Sequence, residues 1–94
     1  MTNPTDQVTD FRIFIQKIAL QGFYALGLLD IPGAPKLEQP NMQAARMVID
    51  DLIMIRERTN GNLSEGEVKT IDKFITDLQL QFVELSKTTE VANA

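Results

Sequence analysis

The sequence predicts an all-α protein of three helices, about 5–29, 41–60 and 64–87, with the last two forming an antiparallel hairpin. Three observations carry this. Apolar residues recur at spacings of three and four in three separate segments. A stretch with three prolines, residues 30–40, separates the first segment from the second. A stop-and-start device at residues 59–68 separates the second from the third. With 94 residues the chain makes one domain, 1–94, with flexible flanks expected at 1–4 and 88–94.

The first segment is long and apolar. Asn3-Pro4 can open it as cap and first helical residue, and Thr9 is a later alternative. One stripe reads Phe11, Phe14 or Ile15, Ile18, Ala25 or Leu26, and Leu29. Ile13, Leu20, Tyr24 and Leu28 lie outside it and extend the apolar surface to most of the helix. A helix apolar all round is expected to be buried all round. Gly22 reads as a close helix–helix contact and Gly27 as chain termination.

Residues 30–40, Asp-Ile-Pro-Gly-Ala-Pro-Lys-Leu-Glu-Gln-Pro, forbid a helix and predict an extended crossing. At about 3 Å per residue such a tether can run the length of a small bundle. The second helix then starts near Pro40 or Asn41. Its core stripe is Met42, Ala45, Ile49, Leu52 and Arg56, flanked by Val48 and Ile53. Met47 and Met54 sit on the opposite face.

The turn at Thr59-Asn60-Gly61-Asn62-Leu63-Ser64 is the best specified piece. Gly61 is placed for a left-handed conformation that closes a helix. Ser64 and Glu67 form a capping box, with Leu63 and Val68 as its hydrophobic staple. The third helix follows with Val68, Ile71, Ile75, Leu78, Phe82 and Leu85, widened by Phe74. Lys69, Lys73, Asp77, Glu84 and Lys87 form its wet face, and Leu80 stands among those charges.

Composition narrows the chemistry. The chain has no His, no Cys and no Trp, with 9 Lys+Arg, 13 Asp+Glu and a net charge of −4. Nucleophile systems built on His or Cys, zinc sites built on Cys and His, and disulfides are excluded. The acidic balance argues against nucleic acid, whose binding depends on Lys and Arg. It also argues against a membrane surface, since the first helix lacks a basic face. The longest uncharged stretch, residues 18–29, is too short to span a bilayer. No secretory signal opens the chain, so a cytoplasmic location is expected.

The remaining polar candidates have ordinary explanations. Asp50 and Asp51 point about 100° apart on a helix and cannot chelate one ion together. Arg56 falls on a core stripe, and it reads as a bundle-end residue with packed stem and solvated head. An ion pair or a dianion site are the other readings. Tyr24 calls for a structural hydrogen bond. Gln21, inside the apolar run, can set register in an assembly. No cofactor, metal ligand or catalytic residue is expected.

What stands out is surplus apolar surface. Ile13, Leu20, Gln21, Tyr24, Leu28, Met47, Met54 and Leu80 are the expected oligomer interface. Two-fold association is the simplest partner arrangement.

From Phe11 to about Leu85 the chain resembles a bacterial family known as domain of unknown function 1844. The resemblance rests on Leu20-Gln21, Leu26-Gly27, Ala45-Arg46, Ile49-Asp50 and, above all, Arg58-Thr59-Asn60-Gly61-Asn62-Leu63-Ser64 followed by Glu67. This chain carries Arg58 where the family has Lys. It carries Gln79 and Gln81 where Arg is expected. The resemblance implies a small bacterial cytosolic helical protein and brings no activity.

The expected function is a non-catalytic interaction module that self-associates through its first helix and docks an unidentified protein partner. One alternative is a bundle that binds an acyl chain among Phe11, Phe14, Phe23 and Phe82. A less favoured one is a small enzyme working with Arg, Lys and carboxylates.

Overall fold

Asp10 opens the first helix, α1 (Phe11–Ala25), by accepting a hydrogen bond from the backbone N–H of Arg12 at 2.8 Å. This computed structural model describes residues 10–93, with side chains to residue 87. Asn3, Pro4 and Thr9, the expected openings of the helix, lie outside the described residues. So do the rest of 1–4 and Ala94. Arg12 also reaches back to Asp10, with Nη2 3.2 Å from Oδ2. This hydrogen-bonded pairing, reinforced by the backbone bond, holds the Asp10 carboxyl below its ordinary range and raises Arg12.

α1 ends at Ala25, four residues short of the expected Leu29. The reason is a C-terminal motif of two reverse bonds. The N–H of Gly27 donates to Tyr24 O at 2.9 Å, and that of Leu28 to Phe23 O at 2.9 Å. Gly27 takes φ +80°, a conformation open to glycine at little cost. The apolar run continues past this point, but as loop, so Leu28 and Leu29 belong to no helix.

The loop also departs from expectation. It does not cross the bundle. The N–H of Asn41 donates to Ala25 O at 2.7 Å, so the segment leaves and returns to one place. It is a closed excursion, in which Ala34 N–H bonds Ile31 O at 3.0 Å and turns the chain at Gly33. The prolines stiffen local turns here instead of extending the whole segment.

α2 (Met42–Arg58) starts at Asn41, whose side chain accepts from Ala44 N–H at 3.0 Å. Ala45, Ile49 and Leu52 are buried as the stripe requires, and Met42, Val48 and Ile53 pack against them. Thr59 caps the end, its hydroxyl donating to Ile55 O at 2.7 Å. Gly61 is left-handed, at φ +90°, but lies one residue beyond the position directly after the cap. The helix therefore closes at Arg58 and the turn completes the reversal.

α3 (Glu65–Asn93) begins with the expected capping box. Ser64 N–H donates to Glu67 Oε1 at 2.8 Å, and Glu67 N–H donates to Ser64 Oγ at 3.2 Å. Ile71, Ile75 and Leu78 are buried, while Val68, at the end of the bundle, stays exposed. The helix continues to Asn93 rather than closing near 87, because no Gly or Pro follows Gly66 to stop it. At about 1.5 Å per residue, its 29 residues outreach the 15 of α1 and 17 of α2. Among the described residues there is no strand, and all three helices pack on one another.

The three helices meet at Gly22. A Cβ placed there would lie 2.9 Å from Leu78 Cδ2 and 3.0 Å from Val48 Cγ1. Ala19, Ala25 and Ala45, all buried, continue this narrow seam. Ile15 fills the core position for which Phe14 was the alternative, and Phe14 is left half-exposed. The expectation that α1 is buried all round is thus corrected. A seam of small residues brings α1 close along one strip, and among the described residues neither of the other two helices covers the opposite side.

Gly22→Val should destabilise the fold by about 2 kcal/mol, from overpacking. Ser64→Ala should lose about 1 kcal/mol. Urea denaturation checks both. Asp10 is stabilising as a carboxylate, so its contribution is present above about pH 4 and is lost as pH falls through its lowered value. Asp10→Asn keeps a capping side chain. The stability gap between it and wild type is expected at pH 6 and should close by pH 2, read by urea midpoints.

Candidate interaction surface

Helical geometry puts Ile13, Lys17, Leu20 and Tyr24 on the side of α1 opposite Ile15, Ala19 and Gly22. Ile13 and Leu20 are exposed, and Tyr24 is half-covered. The Tyr24 hydroxyl donates to Pro35 O, which straps the closed loop onto α1. The structural role expected for Tyr24 is therefore met, and two shallow grooves lie on this side of the molecule.

One groove, of about 410 Å³, is lined by Gln21, Tyr24, Leu37, Met47, Val48 and Asp51 among others. The second, of about 440 Å³, is lined by Lys17, Leu20, Gln21, Leu29, Ile31 and Pro32 with Asp30. Gln21 lines both and joins them. Leu20, Gln21, Tyr24 and Met47 thus form one continuous surface. On α2, Met47 and Met54 are 61% and 50% exposed with Asp51 between them.

Not all of the expected interface belongs here. Ile13 lines a different depression, with Asp10, Arg12, Gln16, Thr70, Lys73 and Phe74, between α1 and α3. Leu28 is exposed on the loop. Leu80, 56% exposed, stands on the outward side of α3, two residues from buried Leu78. Phe14, half-exposed, joins the outward apolar residues and was not expected among them. Its ring lies 6.4 Å from that of Phe11. Azimuth around α1 was the missing signal, since two adjacent apolar residues competed for one core position.

The other candidate residues fall elsewhere. Arg56 pairs with Asp72 across the hairpin, Nη1 to Oδ1 at 3.1 Å, with both side chains about half-exposed. Nothing in the residue order marks Asp72 as the partner of Arg56, because the two lie on different helices. Arg56 and Asp72 line a depression of about 400 Å³ with Thr59, Asn60, Gly61, Leu63 and Val68, and no second cation lines it. The residues expected as turn and cap are thereby brought together at one end of the bundle, with Asn62 bonding Thr59 O at 2.9 Å. Asp50 faces the α2–α3 groove and Asp51 the α1–α2 groove, as their adjacency requires. Phe82 lines the α2–α3 groove without Phe11, Phe14 or Phe23. Gln79 lines that groove as well, and Gln81 is half-buried. Among the described residues no three acidic side chains converge on a metal position, and no helix is long and apolar enough to cross a membrane.

The match to a family model covers residues 8–84, and the chain belongs to that family, the domain of unknown function DUF1844. No curated protein and no solved structure matches the chain.

Tyr24→Phe removes the strap. It should lower stability by about 1 kcal/mol and speed amide exchange in residues 28–37. Exchange detected by mass spectrometry checks this, with α3 amides unchanged.

Proposed function

We propose that this chain is a non-catalytic helical interaction module that assembles with itself through the outward sides of α1 and α2. One observation carries the reading. Leu20, Tyr24 and Met47 line two adjoining grooves that meet at Gln21, and Met54 is exposed further along α2.

Single exposed apolar residues are ordinary on any protein, but a joined set on two neighbouring helices marks an interface. The methionines suit this role, because their flexible, polarisable side chains adapt to a facing surface. Gln21 stands at the junction of the two grooves, where a polar group can favour one register over others. The scale also fits. A stable interface covers about 800 Å² per partner. That is a modest part of the chain's 6925 Å² of accessible surface. Self-association of one surface gives a closed two-fold dimer, in which each copy covers the other.

Sedimentation equilibrium tests the reading. The wild-type chain should sediment as a dimer at tens of micromolar. Leu20→Glu combined with Met47→Glu should give monomers of unchanged helix content, since both side chains are exposed in the single chain. A wild-type monomer throughout that range would refute the proposal.

A further inference from the structure

The outward rows of α1 and α2 share one pattern. Along α1 the row is Ile13, Lys17, Leu20, Tyr24, and along α2 it is Met47, Asp51, Met54, Arg58. Both step by four, three and four. Each has a charged residue in second place between two apolar ones, and the two charges are opposite. Lys17 is exposed and belongs to none of the ion pairs among the described residues, and the same holds for Asp51. α1 contains two cations, Arg12 and Lys17, and no acidic residue. Arg12 is engaged by Asp10. Lys17 is therefore the uncommitted charge of that helix, set beside Leu20 and Gln21 in one groove. Asp51 is set beside Met47 and Tyr24 in the other.

We propose that the occupant of this surface is a second copy of the chain, held in register by Lys17 of each protomer meeting Asp51 of its partner. The proposal rests on the self-association argued above and adds the register. Matching spacings place Lys17 opposite Asp51 whether the facing helices run parallel or antiparallel. In either direction Leu20 then falls opposite one of the two methionines, Met47 or Met54. Two-fold symmetry makes the contact twice, so Lys17 and Asp51 of each chain are both satisfied. Charges at such positions select the partner and the register more than they add affinity, because a like-charged pairing is strongly disfavoured.

The test uses full-length K17E and D51K, alone and mixed, in sedimentation equilibrium with circular dichroism as the folding control. Each variant alone faces like charges across the interface. Its dimer Kd should rise roughly tenfold or more over wild type. An equimolar mixture restores opposite charges at both contacts and should form a 1:1 heterodimer with nearly wild-type affinity. The double variant K17E/D51K should also dimerise like wild type. It serves as a second reading should either single variant fold poorly. An ion pair within one chain would be restored in the double variant but not in the mixture. If wild type dimerises while the mixture is no tighter than either variant alone, the register is wrong and the self-association stands. If wild type is monomeric, both fail.

Discussion

The close contact at Gly22 is the constraint on which the rest of the structure depends. With hydrogen in place of a side chain, α1 approaches until Leu78 and Val48 fill the space a Cβ would need. Ala19, Ala25 and Ala45 extend the approach along the seam. The large buried side chains, Ile15, Leu26, Leu52, Ile71 and Leu78, then close around it. Among the described residues no polar or charged residue is buried. Hydrophobic packing at short range is therefore what holds the bundle, and the six ion pairs among the described residues, all with substantially exposed side chains, add little.

That closeness has a consequence on the other side of the helix. A seam of small residues uses one strip of α1 and leaves its remaining apolar residues pointing outward. The closed loop covers part of them, fastened by Tyr24 to Pro35. Leu20 and the neighbouring methionines of α2 stay bare in the single chain. The same packing that stabilises the fold thus generates the exposed apolar surface on which the proposed self-association rests.

Much of this was legible in the residue order. The stripes of α2 and α3 were legible because each alternates spacings of three and four against a polar background. Ser64, Glu67 and Thr59 were legible because their work is local. The close approach at Gly22 and the termination at Gly27 followed from glycine in an apolar helix. α1 was harder. Its apolar residues run on past Ala25, so periodicity alone could not distinguish helix from the loop that follows. Phe14 and Ile15 compete for one core position, and only the direction of the neighbouring helices decides between them. The return of the loop to Asn41 depends on one hydrogen bond between residues distant in sequence. The pairing of Arg56 with Asp72 is likewise a product of the hairpin. The candidate interface was legible as a list of surplus apolar residues. Its division among separate sides of the bundle was not, because composition carries no azimuth between helices.

The central claim is that the outward methionines are covered in solution by a second copy. The most direct measurement is the solvent accessibility of the Met47 and Met54 methyl groups, read as NMR line broadening by a soluble paramagnetic probe. At tens of micromolar the account predicts protection of both methyls, lost on dilution toward the monomer. Broadening to the full extent expected of the single chain, unchanged with concentration, would contradict it.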